Sequence, residues 1–382
     1  MPIFTKHLPL SLYIHLPWCV KKCPYCDFNS HVTQDSLPET LYLSALIQDL
    51  DQHLHLIKKR PLVSIFFGGG TPSLFSAKSI AYLLDQISKR IALSPSIEIT
   101  LEANPGTFEQ TRFRDYKEAH INRLSLGIQS FQDDKLKVLG RIHDSHHAKC
   151  AIKIAQDVGF SNINLDLMYG LPDQSLAESL SDIEEALSFK PTHLSWYQLT
   201  IEPNTLFHHQ PPILPSDDAI WEMQTHGQTL ISQYAFTQYE VSAYALAQKE
   251  CIHNRNYWEF GDYLGIGAGA HSKITNLENN TVMRFAQVKN PRDYMDTTKR
   301  IDQIKILHSS DLIFEFMLNA LRLTQGISFS LFTERTGLDI KQINPLLNIA
   351  RERGLLNNST THLMPSELGK RFLNDVLSIF LT

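Results

Sequence analysis

Short β-prone runs recur through the first two hundred positions, at Leu12–Leu16, Val63–Phe67, Ile97–Leu101, Arg123–Ile128, Ile163–Met168 and His193–Ile201. Between them the apolar positions take helical spacing, as with Leu41, Leu43, Ile47, Leu50 and Leu54 in the first interval. Pro38-Glu39, Ser76 and Thr107 stand where helix N-termini are expected. Six β-α units in series predict a parallel sheet with right-handed crossovers, two units short of a closed eight-fold barrel. The Pro-rich piece from Glu202 to Pro215 ends this pattern. A helical stretch (217–234) and β-prone segments (238–245 and 263–266) follow, read as a continuation packed on the barrel.

From about His308 the chain changes to helices and turns: 311–323, 330–336, 340–353, a hairpin over 355–364, and 367–380. Three helices with a small hairpin have a winged-helix-like pattern. The third helix carries few basic side chains besides Lys341, Arg351 and Arg353, so packing or a lid suits it better than DNA binding. The expected organisation is a barrel over 1–240, an extension over 241–305, and this C-terminal domain over 306–382.

Polar residues cluster where the predicted strands end: a cysteine loop after the first, glycines after the second, then Glu102, Gln129, Asp166 and Thr200. In parallel α/β barrels that end carries the active site, because the loops there converge on one mouth. Composition adds bounds. The 382 residues, 43% hydrophobic and 20% charged, suit a globular protein with a large core. A formal net charge of −5 gives no global attraction to nucleic acid or anionic membrane. No run approaches the ~20 apolar residues of a membrane-spanning helix, and the N-terminus lacks signal-peptide character. Five cysteines in a chain this long, three of them clustered as ligands, predict a reducing compartment, hence the cytoplasm.

Three of those cysteines, Cys19, Cys23 and Cys26, lie within eight positions. Three thiolates leave one iron of a [4Fe-4S] cubane open to another ligand. The alternatives are a zinc knot completed by His15 or His31, although structural zinc usually uses two separate hooks, and a disulfide, which three clustered cysteines cannot all enter. Glu102 sits in an apolar strand, where an unpartnered carboxylate is costly; a bound cation or a salt bridge to Arg123 would answer that. The pairs His53/His55 and His208/His209, and the group His143, His146 and His147, read as solvated.

The stretch from Tyr13 to Cys26, the glycines Gly68-Gly69-Gly70-Thr71-Pro72, Glu102 in LEANP, Gln129 in GIQSF, Asp166 in NLDLMYGLP, and HNRNYW from His253 carry a resemblance that covers nearly the whole chain. The sequence resembles radical S-adenosylmethionine (SAM) proteins, specifically the haem-chaperone branch of the oxygen-independent coproporphyrinogen III oxidase-like family. One departure separates it from the oxidase, which has a fourth cysteine where Phe28 stands. The resemblance implies a three-quarter barrel, a [4Fe-4S] cluster on Cys19, Cys23 and Cys26, and SAM on the open iron. It places SAM against Tyr13, Gly69, Gly70, Thr71 and Glu102, and matches Gln129, Arg141 and Asp166 to positions contacting a second SAM. It makes haem the cargo, with His253, Tyr257 and Trp258 as contacts; by their residue type alone, Cys251, two positions before the motif, and His271 are alternative iron ligands. The implied partners are haem or porphyrin and an acceptor haemoprotein, with membrane association and a homodimer left open, and no nucleic acid. The rival functions are decarboxylation of coproporphyrinogen III by a 5′-deoxyadenosyl radical and a winged-helix regulator that senses oxygen.

Overall fold

The computed structural model describes residues 2–33, 36–106, 112–296 and 300–381; Thr107 lies outside them. Twelve strands form one sheet: β1 (Leu10–Leu16), β2 (Leu62–Gly69), β3 (Leu93–Ala103), β4 (Arg123–Gln129), β5 (Ile163–Tyr169), β6 (His193–Gln198), β7 (Thr237–Glu240), β8 (Ala243–Ala245), β9 (Asp262–Ile266), β10 (His271–Asn276), β11 (Thr281–Gln287) and β12 (Ile301–Ile306). Their spatial order is β12-β11-β10-β9-β1-β2-β3-β4-β5-β6-β8-β7. The six expected strands are neighbours in sequence order and parallel. A seventh joins them: β9 pairs parallel with β1, Leu10 opposite Asp262 and Ile14 opposite Ile266. The 263–266 segment is therefore part of the barrel wall itself. The sixth strand stops at Gln198, so Thr200 lies in the loop beyond it.

Strand alternation explains how this barrel is filled. One set of side chains, including Leu12, Ile14, Ile65, Phe67, Ile99, Leu101, Leu124, Leu126, Leu165 and Leu167, belongs to the main buried apolar cluster. Tyr42, Leu46 and Leu50 of α1 (Glu39–Ile57) and Ile80, Leu83 and Ile87 of α2 (Ala77–Ser88) complete that layer. Full burial of each such side chain is worth roughly 1.5–3 kcal/mol. The other set is largely polar and lines the barrel interior, among them Tyr13, Phe66, Glu102, Arg123, Ser125, Asn164, Asp166 and Ser195. The period of two thus places apolar residues under the helices and chemistry-bearing ones on the axis.

Helices begin where capping groups permit. The Ser76 side chain accepts the Ser79 amide at 3.2 Å, and a Ser175/Glu178 capping box starts the helix over Leu176–Ser188. The C-terminal part is helical, with Ile327–Ser328 paired antiparallel to His362–Leu363 and an antiparallel bridge between Leu356 and Pro365 closing the expected 355–364 hairpin. Its apolar core includes Phe316, Phe332 and Leu347, and is shared with Tyr239, Ala243, Phe260 and Val282 of the barrel's edges. Phe260 and Phe316 meet edge to face, centroids 5.7 Å apart. Two histidines read as solvated are interior. His53 lies in the core beside Asp49 at 3.0 Å and stacks on Phe285, while His143 bonds the Ile128 carbonyl at 3.1 Å. Among the described residues no helix is long and apolar enough to cross a membrane.

Candidate functional site: a cysteine loop at the barrel mouth

The cysteine loop leaves β1 and is closed by a two-residue stem, Trp18 opposite His31 and Cys19 opposite Val32. Backbone bonds from His31 to Pro17 (2.7 Å) and Thr33 to Cys19 (3.0 Å) fasten the stem, and Cys26 to Cys23 (3.1 Å) makes an inner turn. Asn29 ties the loop to the segments after β9 and β11: its amide donates to the Ala268 and Lys289 carbonyls, both at 2.9 Å.

The glycines that end β2 lie directly beneath. The Gly70 amide bonds Leu16 at 2.9 Å and that of Thr71 bonds Trp18 at 2.7 Å. A Cβ on Gly70 would stand 2.5 Å from the Trp18 carbonyl oxygen. Gly69, at φ +122°, holds a conformation that side chains disfavour, with the His15 ring 2.8 Å from where its Cβ would be. These glycines let one loop close upon the other.

One cavity of about 320 Å³ collects Cys19, Cys23 and Cys26 with Gly69, Gly70, Thr71, Glu102, Gln129, Arg141 and Asp166. Tyr13 borders the two neighbouring cavities and meets this group at Glu102. A hydrogen-bond chain joins two of the cysteines. Thr71 donates to Cys19 Sγ at 3.6 Å and accepts from Asn104 at 2.9 Å; Arg141 donates to Asn104 at 2.6 Å and to Cys23 Sγ at 3.7 Å. Asn104, two residues past Glu102 in LEANP, is the link that sequence reasoning missed. Tyr197 was missed as well; its hydroxyl donates to Gln129 Oε1 at 2.8 Å. Asp166 accepts from Asn164 at 2.7 Å and Ser125 at 3.1 Å. Burial pushes the Glu102 carboxyl up to about 8, with Asp166 adding repulsion and the Gly69 amide offsetting part of it. The salt bridge expected from Arg123 goes to Glu98 instead, at 3.9 Å.

These residues suit the group that three clustered thiols imply. Burial pushes the Cys19 and Cys26 thiols up, so they ionise when a metal replaces the proton. Arg141 brings a fixed positive charge beside Cys23, and its Nε is buried with no hydrogen-bond partner. Among the described residues no three His, Cys, Asp or Glu converge closely enough for a single metal ion.

HNRNYW, from His253 to Trp258, lies in α3 (Ile252–Trp258). Glu98 accepts the His253 amide at 3.2 Å and the Cys251 thiol at 3.4 Å, which docks the helix start into the barrel. His253 is buried, with Nδ1 on Ser64 at 2.9 Å and its ring stacked on Phe66 at 4.9 Å. Its Nε2 has no partner and the ring lines an interior cavity of about 240 Å³. Asn256 bonds the Asp262 carbonyl and fixes the turn into β9. Tyr257 reaches the mouth, but Trp258 does not: it packs on the C-terminal core beneath Arg322, 4.4 Å from its ring. The motif is thus split between barrel axis, mouth and domain interface. Its placement under stacked rings separates His253 and Trp258, which sequence had grouped.

A parallel barrel whose first loop presents three cysteines above a glycine turn defines a radical SAM protein, and residues 13–186 match the Radical SAM superfamily. Residues 307–372 match the HemN C-terminal domain. The fold is similar to that of Escherichia coli coproporphyrinogen III oxidase (HemN), with a TM-score of 0.82 at 22% identity over 98% of this chain and 91% of that one. The chain belongs to the HemW family. It is 49% identical to heme chaperone HemW of Haemophilus influenzae over 98% of each chain, and 47% identical to heme chaperone HemW of E. coli over 99% of each.

Proposed function

We propose that this protein is a haem chaperone that carries a SAM-coordinated [4Fe-4S] cluster, takes haem as cargo and delivers it to acceptor haemoproteins. The observation that carries the reading is that Cys19, Cys23 and Cys26 share one cavity with Gly69, Gly70, Thr71, Glu102, Gln129, Arg141 and Asp166 in a chain of the HemW family. The three thiolates would hold the cluster, leaving an iron for the amino and carboxylate groups of SAM. When bound, the cluster supplies single electrons and a coordination position. The rest is the work of this chain's side chains. Gly69 and Gly70 keep the cavity floor free of Cβ atoms. Arg141 neutralises thiolate charge, and Asn104 keeps its guanidinium oriented. Glu102 and Asp166 offer carboxyls to a cationic ligand. Because Glu102 sits near 8 without one, a positive charge entering the cavity would draw off its proton and stabilise the carboxylate.

The test is anaerobic reconstitution followed by three measurements on one preparation. Iron and sulfide should reach about four each per chain, as a cubane requires. SAM should alter the EPR spectrum of the reduced cluster. Haemin should bind in near-stoichiometric amount, while coproporphyrinogen III should yield no vinyl product, in keeping with Phe28 where the oxidase has a cysteine. Vinyl product without haem binding would reverse the assignment in favour of the oxidase.

A further inference from the structure

We infer that haem docks in the cavity on the β9 side of the barrel mouth, with the His271 imidazole on its iron and Lys22 and Lys289 pairing with its propionates; this rests on haem being the cargo. Small-molecule sites typically enclose about 300–1,000 Å³. The interior cavity at His253 holds about 240 Å³, walled by Phe66, Tyr13 and Tyr257. That volume is below the range of such sites, and Phe66 stacks on the His253 ring at 4.9 Å. The cavity on the β9 side holds about 620 Å³ and opens to solvent.

Three histidines line this larger space, and two are engaged. His15 has Nδ1 on the Tyr13 hydroxyl and Nε2 on the Asn29 carbonyl, both at 2.9 Å. His31 has Nε2 on the Asn29 side chain at 3.2 Å. His271, the first residue of β10, is exposed and its ring makes no hydrogen bond among the described residues. Partial burial, together with Arg284 and Lys289, holds its pKa below the usual imidazole value. It is therefore neutral at physiological pH, the form that coordinates iron. The chain direction supports the placement. Gly267 and Gly269, at φ +106° and +78°, turn the backbone tightly under the cysteine loop just before His271.

The rim carries the opposite charge to a propionate. Lys289 is exposed at the rim, and the Lys22 ammonium donates to the Phe28 carbonyl at 3.3 Å. Asp27 and Glu102 are the acids in the lining, and Glu102 is held toward its neutral form. Phe28, 62% exposed, and Tyr263 supply apolar faces for the macrocycle. Lys22, Phe28, Ser30, Gly69 and Glu102 line this cavity and the cysteine cavity alike, so haem would rest against the cluster loop. Phe28 thus stands where cargo and cluster meet.

Full-length reconstituted protein is titrated with haemin and with its dimethyl ester, followed by the Soret band, with circular dichroism to establish that each variant is folded. His271→Ala should shift the Soret maximum and weaken haemin binding at least tenfold. The double variant Lys22→Glu/Lys289→Glu should weaken haemin at least tenfold but the uncharged ester less than threefold. Haemin binding with wild-type affinity and spectrum in both variants would overturn the site while leaving haem as cargo. Loss of the band in His253→Ala with His271→Ala silent would overturn it in favour of the interior. Wild-type protein that binds no haemin would overturn both this site and the chaperone reading.

Discussion

Replacing Glu102 by Gln should remove a pH dependence that the structure writes into the cysteine cavity. In the folded protein burial and Asp166 raise this carboxyl from 4.5 to about 8. A folded-state pKa above the unfolded value means the associated stability is fully present below about pH 4.5 and is lost as pH rises through about 8. A shift of about 3.5 units at 1.36 kcal/mol each sets a ceiling near 5 kcal/mol. The carboxyl borders an open cavity and shares its field with Asp166, so a measured effect on the order of 2–3 kcal/mol is expected. Unfolding of the cluster-free, SAM-free protein at pH 5, 7 and 8.5 reads this directly. Wild type and Glu102→Gln should coincide at pH 5 and diverge with rising pH, the variant being the more stable. SAM reverses the preference, because the positive charge of its sulfonium favours the carboxylate. SAM affinity of the wild type should therefore rise about tenfold per unit between pH 6 and 8 and level off above, whereas the variant should bind weakly and without that slope. Parallel stability curves, or a SAM affinity whose slope survives in Glu102→Gln, would refute the reasoning.

Cys19→Ala, Cys23→Ala and Cys26→Ala should each abolish the brown chromophore on reconstitution, while Cys150→Ser and Cys251→Ser keep it, since those two lie outside the cavity. Gly70→Ala places a methyl group 2.5 Å from the Trp18 carbonyl; it should cost roughly 1–3 kcal/mol in a denaturant titration and suppress the EPR response to SAM. Asp49→Ala removes a carboxylate that serves Tyr294 at 2.5 Å, Gln287 at 3.0 Å, His53 at 3.0 Å and the Gly267 amide at 3.2 Å. The Tyr294 hydroxyl and the Gln287 amide lose their buried acceptor, while the His53 ring keeps the Asp49 carbonyl and the Gly267 amide keeps Tyr294; the loss should cost about 3 kcal/mol, and a thermal shift no larger than that of an exposed substitution would contradict it.

The chain by itself determined whatever depends on near neighbours. Three thiols in eight positions, glycines where two loops touch, and β-prone runs separated by helical spacing all act over a few residues. The six barrel strands were legible for that reason, as was Glu102, an acid in step with the inward face of β3. Tertiary structure decided what depends on a distant partner. β9 joins β1 across some 250 positions, and its five residues read the same whether they pair inside the barrel or outside it. Parallel pairing leaves no turn signature in the sequence. His53 and His143 look like any surface histidine until Asp49 and the Ile128 carbonyl are brought to them. Asn104 joins Thr71 to Arg141 only once three strand ends converge. His253 and His271 are alike as imidazoles in sequence. Packing alone encloses one against Phe66 and leaves the other open at the mouth, because burial belongs to the surroundings that the fold assembles and not to the residue.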